Sequence, residues 1–342
     1  MVHVDLQHHG DREVGGGLVD LAVNVFRGRR PQWLDAALWE SLSDIGRYPD
    51  PTRARGLIAG RHGRPHLDVL PTAGGAEAFT LVARARPWVH PVVVHPQFTE
   101  PEAALVAAGY DVERVLLREE TGFKLDPALV PESADLVMIG NPTNPTGVLH
   151  PADTVLSLLR PGRILVVDEA FMDAVARRDE SLVSVRRRGL AVIRSLTKTW
   201  SIPGVRAGYV AGDPAFVAQL ALQQPPWSVS ATALAAMVAC MSPEAAEESD
   251  RRAQVIAEWR AALVRGLADV GFPVMGTPAT PFVLVHGTPG MREALREQGF
   301  AVRRGDTFPG LDEAWVRIAV REPEMTGMLL AAMAKVRSWA AP

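Results

Sequence analysis

The sequence contains a single cysteine, Cys240, in 342 residues. This scarcity excludes an internal disulfide framework and a cluster of thiolate metal ligands, and it is typical of a protein from a reducing compartment. The neighbours of Cys240 in AAMVACM are apolar, which favours a buried small side chain over a reactive thiol. We therefore expect a cytoplasmic location.

Long apolar runs and an excess of positive charge are also lacking. No stretch approaches the ~20 apolar residues of a membrane span, and the start MVHVDLQHHGDREV has no signal-peptide pattern. The 36 basic and 39 acidic side chains give a formal net charge of -3. Such a balance provides no basic field for nucleic acid or an anionic membrane, so we expect neither partner.

Metal-ligand spacing is absent as well, because His8, His9, His90 and His95 form no trustworthy ligand pattern, and we expect no metal. Apolar material, in contrast, is abundant. Hydrophobic residues make up 47% of the chain, enough for a sizeable core, and the length favours roughly two domains.

Between residues 66 and 212, short β-rich apolar runs alternate with longer amphipathic segments. The runs HPVVVHP, ADLVMIGN, RILVVDEAF and LAVIRSL are typical of strands, while AEAFTLVARARPW and EPEAALVAAG are typical of helices. This alternation predicts an α/β fold with a mostly parallel sheet covered by helices on both faces. Residues 233–270 predict one long helical stretch, and the segments after it predict a smaller α+β unit.

Ligands of open parallel sheets gather beyond the carboxyl ends of the strands, and four segments there carry polar or aromatic groups. In TAGGAEAF, Gly75 and Ala76 would direct backbone amides of a helix start at an anion. Phe98 follows a strand and suits ring stacking, although core packing would also explain it. The loop GNPTNPTG contains two asparagines and two prolines, more than a plain turn needs. Asp168 ends a very apolar strand, where a helix cap or a cationic partner would explain it.

The segment SLTKTWSIPGVRAGY places Lys198 between two apolar stretches, with Arg206 eight residues later. A desolvated lysine near positive charge has a lowered pKa and becomes a nucleophile toward a carbonyl. Arg206 can bind a phosphate. Lys198 alone would be interpreted as a surface lysine. The ordered set of a lysine, a phosphate-binding arginine, an aspartate and a helix start predicts a pyridoxal phosphate site.

SLTKTWSIPGVRAGY, NPTNPTG and DEAF resemble the fold-type I, aspartate-aminotransferase superfamily of pyridoxal phosphate enzymes. The similarity is greatest to the branch of histidinol-phosphate aminotransferase and threonine-phosphate decarboxylase. The resemblance implies a large cofactor domain over residues 36–232 and a small domain over residues 233–342. An N-terminal arm, residues 1–35, would join the small domain. The resemblance also implies a homodimer with active sites at the interface.

The resemblance further implies a role for each site residue. Lys198 would bind the cofactor covalently and later move the proton, and Asp168 would hold the pyridinium nitrogen protonated. Asn144 would bind the cofactor's 3'-oxygen, Phe98 would stack on its ring, and Arg317 would clamp the substrate carboxylate. The phosphate of the cofactor would be bound by Gly75, Ala76, Ser195, Arg206 and, from the partner subunit, Tyr48. Packing would also explain Phe98 and Tyr48, and an ion pair would explain Arg317.

The reaction is predicted less directly. Phe171 in DEAF and the stretch VRRGDTFPGLDEAWVRIAVR resemble the threonine-phosphate decarboxylases of cobalamin biosynthesis, in which Arg303 or Arg304 could bind the substrate phosphate. A solvated charge pair would explain at least one of these arginines. We therefore expect decarboxylation of an amino-acid phosphate, with transamination of histidinol phosphate or another amino acid by 2-oxoglutarate as the alternative.

One segment departs from the family pattern. The chain has VNVFRGRRP where the family has N-x-N-P-x-G, so only Asn24 is kept from the segment that lines the substrate pocket. A second function class, a ligand-sensing module without catalysis, is disfavoured because no helix-turn-helix segment or basic arm is present.

Overall fold

The computed structural model describes residues 5–340, with side chains through residue 336. Residues 1–4 of the expected N-terminal arm and residues 341–342 of the expected small domain lie outside the described residues. Within the described range, no helix is both long and apolar enough to cross a membrane.

The strands belong to three sheets. In chain order they are β1 (Val19–Asp20), β2 (Val69–Thr72), β3 (Pro91–His95), β4 (Glu113–Leu116), β5 (Leu136–Gly140), β6 (Ile164–Asp168), β7 (Leu190–Ser195), β8 (Gly208–Gly212), β9 (Phe282–His286), β10 (Phe300–Ala301), β11 (Arg303–Arg304) and β12 (Trp315–Ala319).

The α-helices mostly cover these sheets. They are α1 (Gln32–Ser41), α2 (Thr52–Arg61), α3 (Gly74–Arg84), α4 (Glu100–Ala107), α5 (Ala152–Leu156), α6 (Pro214–Gln223), α7 (Ala231–Cys240), α8 (Pro243–Asp269), α9 (Met291–Glu297) and α10 (Pro323–Ala340).

The central sheet has seven strands in the order β2-β8-β7-β6-β5-β3-β4. The pairs from β7 through β4 are parallel, whereas β8 runs antiparallel to both β7 and β2. The buried strands are continuous apolar runs because helices cover both faces. The predicted α/β fold with a mostly parallel sheet is confirmed.

The expectation of one helical stretch over residues 233–270 is wrong in detail. The chain forms two helices, α7 and α8, separated at Met241 and Ser242. Pro243 lacks an amide proton and takes the first helical position of α8, where none is needed, and Ser242 caps that helix by accepting a hydrogen bond from Ala245 N at 3.1 Å.

The C-terminal strands form a separate three-stranded antiparallel sheet, β11-β12-β9. Its core is an apolar cluster that includes Leu263, Val283, Val316 and Met333. Strand β1 pairs in parallel with β10, Val19 opposite Phe300, so the N-terminal segment contacts the C-terminal part of the chain. In the β11–β12 ladder, Arg303 lies directly opposite Arg317.

Candidate active site

The carboxyl ends of β6 and β7 place the first polar groups of the site. Asp168 lies opposite Ile193 in the parallel ladder, and side chains alternate along a strand. Asp168 and Ser195 therefore lie on one face of the sheet, and this is also the face of α3, whose Gly75 packs near Ile193. Asp168 therefore lies on the same face of the sheet as the start of α3.

Lys198 lies just beyond β7 in a turn that is held in place by a backbone hydrogen bond and by an aromatic contact. Its carbonyl accepts a hydrogen bond from Phe26 N at 3.0 Å, and the buried Trp200 packs edge-on against Trp33 at 5.3 Å. Burial, followed by the charge of Arg206, lowers the pKa of Lys198 to about 8; Asp168 opposes this shift and Arg317 adds to it. Lys198 is therefore far closer to being a neutral amine at neutral pH than an exposed lysine, which is what a nucleophile requires.

Asp168 has few partners of its own. Among the described residues only Ala170 N donates to its carboxylate, at 2.9 Å on Oδ1. Burial raises its pKa to about 6, partly opposed by that hydrogen bond and by the charge of Lys198. A buried carboxylate of this kind favours a cationic neighbour such as a protonated ring nitrogen.

The start of α3 and Arg206 form a cradle suited to an anion. Gly74 has φ +79°, and a Cβ built on it would lie 2.5 Å from Arg206 Nη2, so a side chain at this position would collide with the guanidinium. The amides of Gly75 and Ala76 lie in the first helical turn, where no carbonyl one turn earlier can accept them. Ser195 Oγ lies 2.8 Å from Thr197 Oγ1. Sequence reasoning missed Gly74 and Thr197, although both lie inside the quoted motifs.

The two halves of GNPTNPTG have different tasks. Asn141 closes the loop, since its Oδ1 accepts from His150 N at 2.8 Å and its Nδ2 donates to His150 O at 3.1 Å. His150 is buried, which lowers its pKa to about 4, and its Nε2 lies 3.2 Å from Thr143 Oγ1. Asn144 in the second half instead reaches the small sheet, where its Oδ1 accepts from Arg317 Nη1 at 2.6 Å.

Arg317 is a buried guanidinium surrounded by neutral acceptors. It donates to Asn144 and to the carbonyl of Ala22, and its guanidinium carbon lies 5.2 Å from the centre of the Phe282 ring. The amide of Asn24, with its oxygen toward Arg317, accepts from Nη1 at 3.0 Å and from Nε at 3.2 Å. Within the described residues no carboxylate forms an ion pair with Arg317, and burial followed by the charge of Arg303 holds its pKa well below the ordinary range.

Arg303 and Arg304 have separate surroundings. Arg303 is buried, donates to His8 O at 2.6 Å, and its Nη1 has no hydrogen-bond partner among the described residues, with Glu13 Oε1 at 3.7 Å. Burial lowers the pKa of Arg303 to about 10. Arg304 forms a bidentate pair with Asp306, the solvated pair that was one of the expectations for these arginines.

Phe98 and Tyr48 occupy different places. Phe98 is half-buried, with its ring centre 6.3 Å from Phe79 of α3 and 5.6 Å from His9. Tyr48 is 77% exposed and stacks on Trp227 at 4.3 Å, so it is not among the contacts of Lys198 or Asp168 within the chain. The structure therefore brings Lys198, Asp168, Arg206, Asn144, Asn24 and Arg317 together and leaves Tyr48 on the surface.

Directly behind Asp168 lies a buried ionic cluster that sequence reasoning missed. Glu169 accepts from Arg194 Nη1 at 2.9 Å, from Ser181 Oγ at 2.7 Å and from Leu182 N at 2.6 Å. Arg194 also contacts Asp173. The sequence did contain a signal for this cluster. Glu169 follows Asp168 in DEAF and Arg194 precedes Ser195 in IRSL, so the alternation of side chains along a strand predicts that both lie on the face opposite Asp168.

These residues fit pyridoxal phosphate. Because Gly74 has no Cβ, the Arg206 guanidinium can lie close to the start of α3, and a cation at a helix start suits the phosphate. Lys198 offers an amine with a lowered pKa, Asp168 offers a carboxylate with one hydrogen bond, and Asn144 offers an amide. The donor set therefore matches the aldehyde, ring nitrogen and 3'-oxygen of that group.

Comparison with known proteins identifies the family. The family model described as aminotransferase class I and II matches residues 17–333. The chain is 46% identical over 334 residues to a histidinol-phosphate aminotransferase of Mycobacterium tuberculosis H37Rv, which covers 96% of this chain and 90% of that protein. It is 28% identical to the threonine-phosphate decarboxylase of Salmonella typhimurium, with 95% and 93% covered.

Solved structures share the fold. The histidinol-phosphate aminotransferase of Clostridium acetobutylicum superposes with a TM-score of 0.85 at 23% identity, covering 93% of this chain and 98% of that one. The histidinol-phosphate aminotransferase of Sinorhizobium meliloti, solved in complex with pyridoxal-5'-phosphate, gives a TM-score of 0.82 at 21% identity, with 93% and 90% covered.

These comparisons overturn the sequence-based preference for threonine-phosphate decarboxylation. Relatives at 46% identity are histidinol-phosphate aminotransferases, whereas the threonine-phosphate decarboxylases are only 28% and 30% identical. The preference was wrong because Phe171 and an arginine-rich stretch are local features that do not fix the reaction. The expected resemblance to the fold-type I superfamily is confirmed, and the chain belongs to the family of class I and II aminotransferases.

Proposed function

We propose that the protein transfers the amino group of histidinol phosphate to 2-oxoglutarate, with pyridoxal 5'-phosphate as its cofactor. The observation that carries the proposal is the position of Arg317 near Lys198, as a buried cation whose hydrogen bonds within the described residues go to neutral acceptors. Both substrates of this reaction are anions, and each can bind to the same guanidinium in turn. The relatives at 46% identity support histidinol phosphate as the amino donor.

When bound, pyridoxal phosphate supplies an electron-withdrawing ring that stabilises the electron pair left after loss of the substrate's Cα proton. Lys198 would hold the cofactor through Nζ, and the same amine would carry the proton to and from Cα. Asp168 stabilises positive charge at the ring nitrogen, since its carboxylate has one hydrogen bond among the described residues and is free to take a cationic partner. Asn144 donates to the 3'-oxygen through Nδ2, which its contact with Arg317 through Oδ1 leaves available.

The remaining site residues bind and orient. Arg206, Ser195 and the first-turn amides of Gly75 and Ala76 would hold the cofactor phosphate, and Phe98 would contact its ring. Arg317 binds the anionic group of either substrate, oriented by Asn24. Arg303 lies directly opposite Arg317 in the β11–β12 ladder, and its Nη1 has no hydrogen bond among the described residues, so it adds a second cation for a dianionic phosphate or a distal carboxylate.

We also propose a homodimer in the cytoplasm. The exposure of Tyr48 and Trp227, which stack on each other, supports a covered surface in which Tyr48 reaches the phosphate of the partner's cofactor. The pairing of Val19 with Phe300 supports an N-terminal arm, residues 1–35, that joins a small domain of residues 233–342, apart from a large domain of residues 36–232. Sedimentation velocity tests the dimer; a monomer at micromolar concentration would contradict it.

The decisive experiment supplies the reconstituted enzyme with histidinol phosphate and 2-oxoglutarate and measures glutamate. We expect glutamate to form and Arg317→Lys to lower kcat/KM by about 100-fold, because a bidentate anion contact is lost from a buried site. Arg304→Gln serves as the matched control, since Arg304 pairs with Asp306. Release of carbon dioxide from threonine phosphate without glutamate formation would overturn the proposal.

A further inference from the structure

A cleft of about 570 Å³ opens at the amino edge of the central sheet, away from the carboxyl edge that carries the active site. Ile164 begins β6 at its wall, Gly189 precedes β7, and Asp213 follows β8. Its lining includes five arginines: Arg86, Arg160, Arg163, Arg187 and Arg188. This edge of a parallel sheet has no part in the proposed aminotransferase chemistry, so the cluster calls for an explanation of its own.

The floor of the cleft is rigid because its charged groups are held by the backbone. Arg163 donates to four carbonyls, those of Ala134, Leu158, Pro131 and Glu132, at 2.6 to 3.1 Å. Arg86 donates to the carbonyl of Gly162 at 3.0 Å and lies over the ring of Trp88. The two guanidinium groups of the floor are therefore held in place by neutral carbonyls, which leave their positive charge unbalanced.

At the rim, two of the three arginines have no counter-charge within the part of the chain that the structure describes. Arg187 and Arg188 are exposed, and within the described part of the chain neither side chain forms an ion pair or a hydrogen bond. Arg160 has only an exposed pair with Glu132 at 3.5 Å, a contact of little strength in water. Asp213 also lines the cleft, but its carboxylate accepts hydrogen bonds from the backbone amides of Gly189 and Ala215.

Positive charge concentrated in a concave site raises the local concentration of anions, and guanidinium groups match the oxygens of phosphate. We propose that this cleft binds a polyphosphate group, and that Arg187 and Arg188 are its principal contacts. The apolar wall, which includes Ile164 and Phe216, leaves room for an organic part attached to the phosphates. A nucleoside triphosphate and inorganic polyphosphate share this chemistry. The inference is independent of the proposed transamination.

The test uses enzyme saturated with pyridoxal phosphate, so that the active-site cradle is filled, and titrates inorganic tripolyphosphate or ATP by calorimetry at fixed ionic strength. We expect one site per chain and about tenfold weaker binding in Arg187→Ala/Arg188→Ala, since two charge-assisted contacts are lost. Tighter binding of ATP would identify a nucleotide as the ligand, and equal binding would identify the polyphosphate group alone.

The matched control is Arg61→Ala/Arg265→Ala, which removes the same charge from two exposed arginines outside the cleft. We expect it to bind both probes within about twofold of wild type. If both double variants bound the probes equally weakly, the loss of binding would be explained by net charge alone, and the proposal would be overturned. Absence of binding at millimolar probe, or full binding by the Arg187/Arg188 variant, would overturn it as well. Arg317→Lys distinguishes residual binding in the active site, because only that site would respond.

Discussion

Asp168 and Glu169 are neighbours in the chain, yet their carboxylates have opposite surroundings. On the site face of the sheet, Asp168 accepts one backbone hydrogen bond within the described structure, and Lys198 lies nearby with a lowered pKa. On the opposite face, Glu169 accepts three hydrogen bonds, one of them from Arg194. The carboxylate that we propose to bind a ligand thus has one hydrogen-bond partner within the described structure, while the carboxylate on the opposite face has three.

The same difference separates the two halves of the NPTNPTG loop. The side-chain oxygen and nitrogen of Asn141 both form hydrogen bonds with the backbone of His150, and these bonds stabilise the loop itself. Asn144 uses only its oxygen, on Arg317, and its other end remains available. A repeated tripeptide thus supplies one residue for the fold and one for the site.

The largest effect is expected from Lys198→Ala. Loss of the amine that we propose to bind the cofactor and move the proton should lower kcat by at least about 10⁴-fold, a loss comparable to that caused by removing covalent catalytic groups in other enzymes. Stability should change by less than about 1 kcal/mol, because Lys198 forms no ion pair in the described chain. The checks are steady-state kinetics and the absorption of lysine-bound cofactor near ~420 nm, which the variant should lack. Retained absorption and activity would contradict the assignment of Lys198.

A substitution in the ionic cluster on the opposite face of the sheet should lower the stability of the protein. Arg194→Met leaves Glu169 and Asp173 as buried carboxylates without their cation, which should lower the free energy of unfolding by about 3–5 kcal/mol. Denaturant unfolding measures it. Arg206→Gln is the control on the site face, where a shift below about 0.5 kcal/mol is expected for an exposed side chain. If both variants lost equal stability, the contrast between the two faces would not hold.

The smallest effect is a shift in pH dependence. The pKa of Lys198 is lowered to about 8, so in cofactor-free enzyme the neutral amine, and with it the rate of cofactor binding, should increase with pH and level off above pH ~8. Arg206→Gln removes a positive neighbour, which should raise the pKa of Lys198 and move the midpoint to higher pH. Stopped-flow absorbance across pH 6–10 gives the midpoint. A midpoint near the 10.5 of an ordinary lysine, or one that Arg206→Gln leaves in place, would contradict this account.

Much of the fold could be predicted from the sequence because its signals are local. Apolar runs such as LVMIG and ILVVD predict buried parallel strands, and Asp168 and Ser195 follow from where those runs end. Lys198 and Arg206 could be found because their spacing within one segment carries the pattern. The break between α7 and α8 was missed, although Ser242 and Pro243 are a readable cap and first turn, because the flanking apolar periodicity continues across them.

The partners of each charged side chain could not be predicted, since they come from distant segments. Arg317 meets Asn144 across 173 positions and Ala22 across 295, and no local pattern encodes either contact. The buried cluster of Glu169 and Arg194 was missed although the alternation in DEAF and IRSL places both side chains on one face, because their pairing joins two different segments of the chain. The preference for decarboxylation failed because Phe171 and the arginine-rich stretch are local features that do not fix the reaction, whereas relatives at 46% identity over 96% of the chain are histidinol-phosphate aminotransferases.

By itself, the sequence determined the α/β class, the alternation of strands and helices between residues 66 and 212, and the residue types that a pyridoxal phosphate site requires, because periodicity and motif spacing are properties of neighbouring residues. Only the tertiary structure decided which face each side chain occupies, which charges are paired, and that Arg303 and Arg317 lie side by side. The physical reason is that pKa values and ion pairs depend on burial and on neighbours through space, and these are set when separate segments pack together.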